Sequence, residues 1–254
     1  MTNFLCFYLF VLKKQKEMKK ITTLFAYILP FFIAAQTPNS TELHAQFDQI
    51  GKSQRPATVP VFDTRYEGVK GSRFSIETYN LGEIWLTDGR HFTTELKYRF
   101  DELENSVQVQ YIDGKELLLF NNYVLKCQIF KNDTIITYRK AAIEGEKELH
   151  KLYQVLYEGE NYSLLKLPTR KVVRVDEKSA LTIGRLYDQI TPIFHYYFKT
   201  SSSIFKEIKL KKKDLLKFLP TKKAALESLF KTPQYEGDLD EPKLVEIFQK
   251  IDKD

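Results

Sequence analysis

Glu95-Leu96-Lys97-Tyr98-Arg99-Phe100 alternates charged and apolar side chains without a fault, and Val107-Gln108-Val109-Gln110-Tyr111 repeats the pattern with amides in the polar places. Successive side chains of an extended strand point to opposite faces, so each stretch is expected to lay one face on a core and the other in water. Turn chemistry joins these runs. Asp88-Gly89 lies between residues 84–87 and 92–100, and Asp113-Gly114 between residues 107–111 and 116–120. Glycine accepts the positive φ that a two-residue, twist-matched hairpin turn requires. In the same way Lys131-Asn132-Asp133 is expected to turn residues 123–130 onto 134–140, and Glu158-Gly159-Glu160 to turn 149–157 onto 162–167. Gly68-Val69-Lys70-Gly71-Ser72 reads as a further turn, before a strand over 73–79.

Strands this short, at this spacing, predict a mainly β (α+β) fold: an antiparallel meander forming a sandwich or barrel-like body. The apolar pairs Leu119-Phe120, Leu164-Leu165 and Val172-Val173 predict strands buried on both faces. A one-residue slip would expose Leu96, Tyr98 and Phe100 together, so the turn glycines carry register as well as shape. Gly89→Val is expected to harm folding more than an ordinary surface change.

From Lys209 onward the period changes. Leu244, Ile247, Phe248 and Ile251 recur at the spacing of one helix face, with Asp238 and Asp240 before them and Pro242 in the first turn. Residues 213–219 and 224–230 predict two shorter helices separated by Pro220-Thr221. The β body is therefore expected over 61–205, with a helical appendage over 206–254.

The other end of the chain has a different character. Met18, Lys19 and Lys20 precede an apolar stretch, residues 21–33, that ends at Ala34-Ala35; this order is that of a secretory signal peptide over 18–35, cleaved before Gln36. The stretch is shorter than the roughly 20 apolar residues of a stable membrane span. Residues 1–17 serve no targeting logic in front of Met18 and read as an over-extended start. Residues 36–60 read as a loosely ordered polar lead-in with at most one short helix, near 43–50. Setting the leader aside removes five lysines and Glu17, which lowers the net charge from +6 by four. A balance that close excludes a general field for nucleic acid. It also leaves Cys127 alone, without an intrachain partner and expected to be a buried small hydrophobe.

Recognisable catalytic patterns are missing: no His-Glu-x-x-His, no paired Cys motif, no glycine-rich strand-to-helix turn, no Gly-x-Ser-x-Gly. His44, His91, His150 and His195 never stand two or four residues apart, so no metal and no cofactor is expected. His91 beside Asp88 at a hairpin end is the nearest approach to a catalytic pair. Asp238, Asp240 and Glu241 lack the calcium-loop glycine and read as helix-capping acids. Two features suit binding. Lys209, Lys211, Lys212 and Lys213, continued by Lys206, Lys217, Lys222 and Lys223, form a basic run able to meet an anionic lipid or polysaccharide surface. Tyr187, Tyr196 and Tyr197 stand with Phe194 and Phe198 in an aromatic segment suited to stacking on sugar rings, or else to core packing. An outer-membrane barrel is disfavoured by the helical, lysine-rich ending.

The stretches Glu67-Gly68-Val69-Lys70-Gly71-Ser72, Gly82-Glu83-Ile84-Trp85-Leu86-Thr87-Asp88-Gly89 and Leu96-Lys97-Tyr98, with the tail from Lys211, resemble a family of uncharacterised exported β-rich proteins from Bacteroidetes. The resemblance implies export and a β-rich fold with a helical end, and supplies no site residues. The export signal together with the missing catalytic patterns makes the expected function that of a non-enzymatic envelope protein, periplasmic or extracellular, that binds another envelope protein or a cell-surface polymer. The alternative is an envelope hydrolase acting on glycans through paired carboxylates.

Overall fold

The computed structural model of the chain describes residues 58–60, 65–93, 96–147, 149–175, 187–201 and 204–253. The expected leader, the helix over 43–50 and most of the lead-in lie outside these residues. Twelve strands run in chain order: β1 (Thr58–Pro60), β2 (Asn80–Leu86), β3 (His91–Phe92), β4 (Lys97–Asp101), β5 (Ser106–Gln110), β6 (Glu116–Leu119), β7 (Val124–Lys131), β8 (Thr134–Lys140), β9 (Leu152–Glu158), β10 (Tyr162–Val173), β11 (Gln189–Thr200) and β12 (Lys206–Ile208). They are followed by α1 (Lys212–Phe218), α2 (Lys223–Phe230) and α3 (Glu241–Ile251). Strand pairing thus reaches past both expected boundaries of the β body, to Thr58 in the lead-in and Ile208 in the tail.

All strands join one antiparallel sheet in the order β1-β6-β5-β4-β2-β7-β8-β9-β10-β11-β12, with β3 paired to β2. Its end strands β1 and β12 do not pair with each other, so the sheet is open and sandwich-like. It folds over itself, as contacts between strands distant in that order show. Phe100 of β4 stacks on Tyr138 of β8 with ring centroids 4.0 Å apart. Asn105, just after β4, exchanges two hydrogen bonds with the backbone of Leu152 at the start of β9, both 2.9 Å, and so stands in for a strand partner.

The expected alternation holds on β4 and the residue before it, where Leu96, Tyr98 and Phe100 are buried. It fails on β5, because Gln108 is only 2 % exposed. The reason lies in residues 73–79, which are not a strand. They make one bridge, Phe74 to Asp101, and otherwise cross the outer face of β4 and β5. There the Arg99 guanidinium sits between the rings of Phe74 and Tyr79, 3.9 and 4.2 Å from their centroids, and donates to the Glu77 carbonyl and to Gln108. A side chain thus satisfies a carbonyl that a partner strand would have bonded, and the covered amide oxygen is satisfied rather than solvated.

The Asp-Gly hairpins form, with three-residue loops in place of the expected two. Gly89 N–H bonds to Leu86 O, and Leu86 N–H to Arg90 O; Gly114 and Tyr111 repeat this with Tyr111 and Lys115. The two glycines lie at φ +89° and +84°, the left-handed position that such loops place last. Asn132-Asp133 makes a two-residue turn between Lys131 and Thr134, and Gly159 closes the β9–β10 turn.

β10 and β11 are buried on both faces where the first part of β10 pairs with the later part of β11, over residues 162–165 and 196–198. Leu164, Tyr196 and Phe198 meet the helices, together with Leu215, Leu226 and the α3 stripe. Leu165 and Tyr197, one residue on, point to the opposite face with Tyr153, Leu167 and Phe205. On α3, Asp240 caps the first turn by accepting from Lys243 N–H, and Leu244, Ile247, Phe248 and Ile251 are at most 1 % exposed. Burial of each such side chain stabilises by roughly 1.5–3 kcal/mol, which explains why a helix of three turns docks at all.

The end of α3 is fastened to the β9–β10 turn. Asp252 accepts from Tyr157 OH at 2.7 Å and from Asn161 N–H at 2.8 Å, over a glycine, Gly159, whose missing side chain leaves room for the carboxylate. Burial pushes the Asp252 carboxyl up, but these hydrogen bonds outweigh it and hold the group below its ordinary 3.8. A depressed folded-state pKa contributes stability above the unfolded value and loses it as pH falls through the folded one. Hydrogen-exchange protection factors of α3 are therefore expected to be level at neutral pH and to drop below about pH 4, and Asp252→Asn to flatten that drop; an identical profile in the variant would refute the clamp. Among the described residues no helix is long and apolar enough to cross a membrane.

Candidate functional site

The lysine run lies where β12 hands over to α1. Ile208, Leu215 and Leu219 are buried in the helix-side core, and these anchors turn the residues between them outward. A tight turn, with Lys211 N–H on Lys209 O at 2.7 Å, starts α1. As a result Lys209, Lys211, Lys213 and Lys217 surround a groove of about 270 Å³ with Asp214, Glu207 and Phe218. None of these four lysines has an ion-pair partner among the described residues. Lys212 departs from the group, with its amine 5.6 Å from the Phe230 ring on α2. Lys223 pairs with Glu227 along α2.

A second lobe of about 460 Å³ shares Glu207, Lys217 and Phe218 and adds Ile143, Glu144, Glu146, Tyr197 and Lys206. Its acids are occupied. Glu144 pairs with Lys206 at 2.9 Å, Glu207 with His195 at 2.8 Å, and Glu146 with Lys151 and Tyr153 OH, both at 2.8 Å. Burial pushes Glu146 up, but the hydrogen bonds from Lys151 and Tyr153 outweigh it and hold it below the usual range. Tyr197, buried beside Glu207 and Glu146, is pushed up to about 12 and stays protonated.

The three aromatic candidates are not brought together. Tyr196 and Tyr197 are neighbours on one strand and so enter opposite faces of the sheet. Tyr196 packs against the helices and donates to Glu241, which Lys166 also holds at 2.9 Å. Tyr197 meets Tyr153 edge to face at 5.3 Å. Tyr187 stands apart, 38 % exposed, with the Lys70 amine 3.6 Å from its ring centre. Core packing accounts for the two β11 tyrosines.

His91 pairs with Glu83 at 2.9 Å, whereas Asp88 is taken by Arg90. The imidazole stacks on Trp85 at 4.3 Å, and Lys126 covers Trp85 at 4.2 Å, a cross-strand ladder of β3, β2 and β7. Cys127 is fully buried, and burial pushes its thiol up, away from nucleophilic use. Among the described residues no group of three or more metal-ligating side chains converges.

Two buried pairs escaped the sequence reading. Asp101, with no exposed area, is held by Arg73 and accepts from Leu103 and Glu104 N–H. Glu102 is held by Arg170 at 2.6 Å. The only signal was an acidic dipeptide ending an apolar strand, which reads as a surface turn until the sheet folds back upon it. Comparison with protein-family models, with curated proteins and with solved structures finds no match.

Proposed function

We propose that this chain is a non-enzymatic, exported module of the cell envelope that holds an anionic polymer in the groove between β12 and α1. The carrying observation is the group Lys209, Lys211, Lys213 and Lys217, four cations around one concavity that have no ion pair among the described residues. Converging like charges raise the local concentration of an opposite charge, and each ammonium gains from a partner it lacks. Export rests on the order of charge and apolarity in residues 18–36. The hydrolase alternative has less behind it. A glycan-cleaving pair needs one carboxylic acid whose pKa is raised. Every carboxyl displaced from its ordinary value among the described residues is displaced downward: Asp88, Glu146, Glu246 and Asp252.

Alginate, a uronic-acid polymer, tests the reading. Binding is expected at 50 mM salt and to weaken about tenfold or more by 500 mM, as screened surface contacts do. Replacing Lys209, Lys211, Lys213 and Lys217 by Gln is expected to abolish it, while Lys222→Gln with Lys223→Gln leaves it. Equal binding by both variants, or none by the native chain, would sink the proposal.

A further inference from the structure

A different concavity lies on the far side of the β8–β9 connection. The segment after β8 turns alongside residue 205: Ile143 and Phe205 form a parallel bridge, Glu144 N–H bonds to Phe205 O at 2.8 Å, and Phe205 N–H to Ala142 O at 3.4 Å. The cleft beside this seam is about 450 Å³. Its lining is mostly apolar, and three of its side chains, Leu125, Leu149 and Ile204, are at least half exposed at 50, 52 and 54 %. Apolar groups clustered in one concavity at that exposure mark a surface that gains by being covered.

We propose that this cleft binds a single-chain fatty carboxylate, its methylenes on Leu125, Leu149, Ile204 and Phe205 and its carboxylate against Lys140 and Lys199. Charge complementarity fixes the head group. Arg139, Lys140 and Lys199 line the cleft, and no carboxylate is among its described lining residues. Arg139 is already paired with Glu158 at 2.6 Å. Among the described residues Lys140 reaches only the Asn122 carbonyl, at 3.1 Å, and Lys199 lies 5.1 Å from the Phe205 ring centre. Burial also lowers the Lys140 pKa, so an anion at its side relieves a charge that water no longer fully solvates.

The walls select a hydrocarbon over a peptide. The Ala142 carbonyl and both backbone groups of Phe205 are spent on the seam, so an extended peptide laid along it would bury amides that these groups do not partner, whereas methylenes carry no such cost. Chain length and head group should therefore act separately.

Calorimetric titration of the full chain with octanoate, decanoate and decanol, below their aggregation limits, tests this. Affinity is expected to rise two- to fourfold for each added methylene, the upper value being full burial. Decanol should bind at least tenfold more weakly than decanoate. Lys140→Gln with Lys199→Gln should remove that preference without changing decanol binding. Leu125→Asp, at a half-exposed position, should abolish both with the thermal midpoint unchanged, and Ile135→Asp, at a 61 % exposed site elsewhere, should leave both intact. The proposal is overturned by a flat chain-length series, by equal binding of decanoate and decanol, by full binding in Leu125→Asp, or by an acidic apolar tetrapeptide that binds more tightly than decanoate.

Discussion

Gly82→Val unfolds at markedly lower urea than the native chain, with a loss of about 3 kcal/mol, the upper end of ordinary overpacking. At Gly82 the β2 strand runs between β4 and β7. An added Cβ would stand 2.2 Å from the Gln128 carbonyl oxygen and 2.9 Å from the Tyr98 ring. Neither neighbour can yield: the first is backbone of the paired strand, and the second is fully buried. The strands must part, and β2 is what ties β4 to β7. Gly89→Val, by contrast, meets open space and suffers only its left-handed φ of +89°, a cost of about 1–2 kcal/mol. Urea denaturation of both variants decides the order, and a smaller loss at Gly82 than at Gly89 would show that the seam gives way cheaply.

Arg170→Met costs about 3–5 kcal/mol, the range for stranding a buried charge. Glu102 has a side chain 3 % exposed, and its ion pair with Arg170 is its only one among the described residues. The guanidinium also donates to Ser72 O at 3.0 Å, which pins the loop that leads into residues 73–79. Replacing both partners together, Arg170→Met with Glu102→Met, should recover most of the loss, because two desolvated charges are then absent rather than one unpaired. A double-mutant cycle measures this coupling. A single-variant loss under about 1 kcal/mol would class the pair with exposed ones and refute its buried role.

Much of the architecture was legible in local signals. Leu96, Tyr98 and Phe100 announced the core face of β4, the two Asp-Gly turns fell where the loops are, and the apolar period with Pro242 located α3. These features depend on neighbours in the chain. What was hidden depends on contacts between distant residues. Residues 73–79 are as apolar and aromatic as a strand, and nothing local says that Arg99 will sit between Phe74 and Tyr79 and take the Glu77 carbonyl. Gln108 looks solvated until Phe74 and Tyr79 cover it. Gly82 carries no turn signature, so its importance appears only once β7 lies against it. The lysine groove was half visible: the run was plain, but the register of Ile208, Leu215 and Leu219 decides that Lys217 joins it and Lys212 does not.

The seam between β2 and β7 also has a history in time. From β7 to β11 each strand pairs with the next in the chain, whereas β2 must wait for a partner far along it, Gly82 meeting Ile129. Loop closure makes such distant pairings slow to nucleate. The meander is therefore expected to assemble first and the β2–β7 pairing late, so Gly82→Val should raise the unfolding rate and scarcely change the folding rate in urea-jump kinetics; a matching slowing of folding would refute that order.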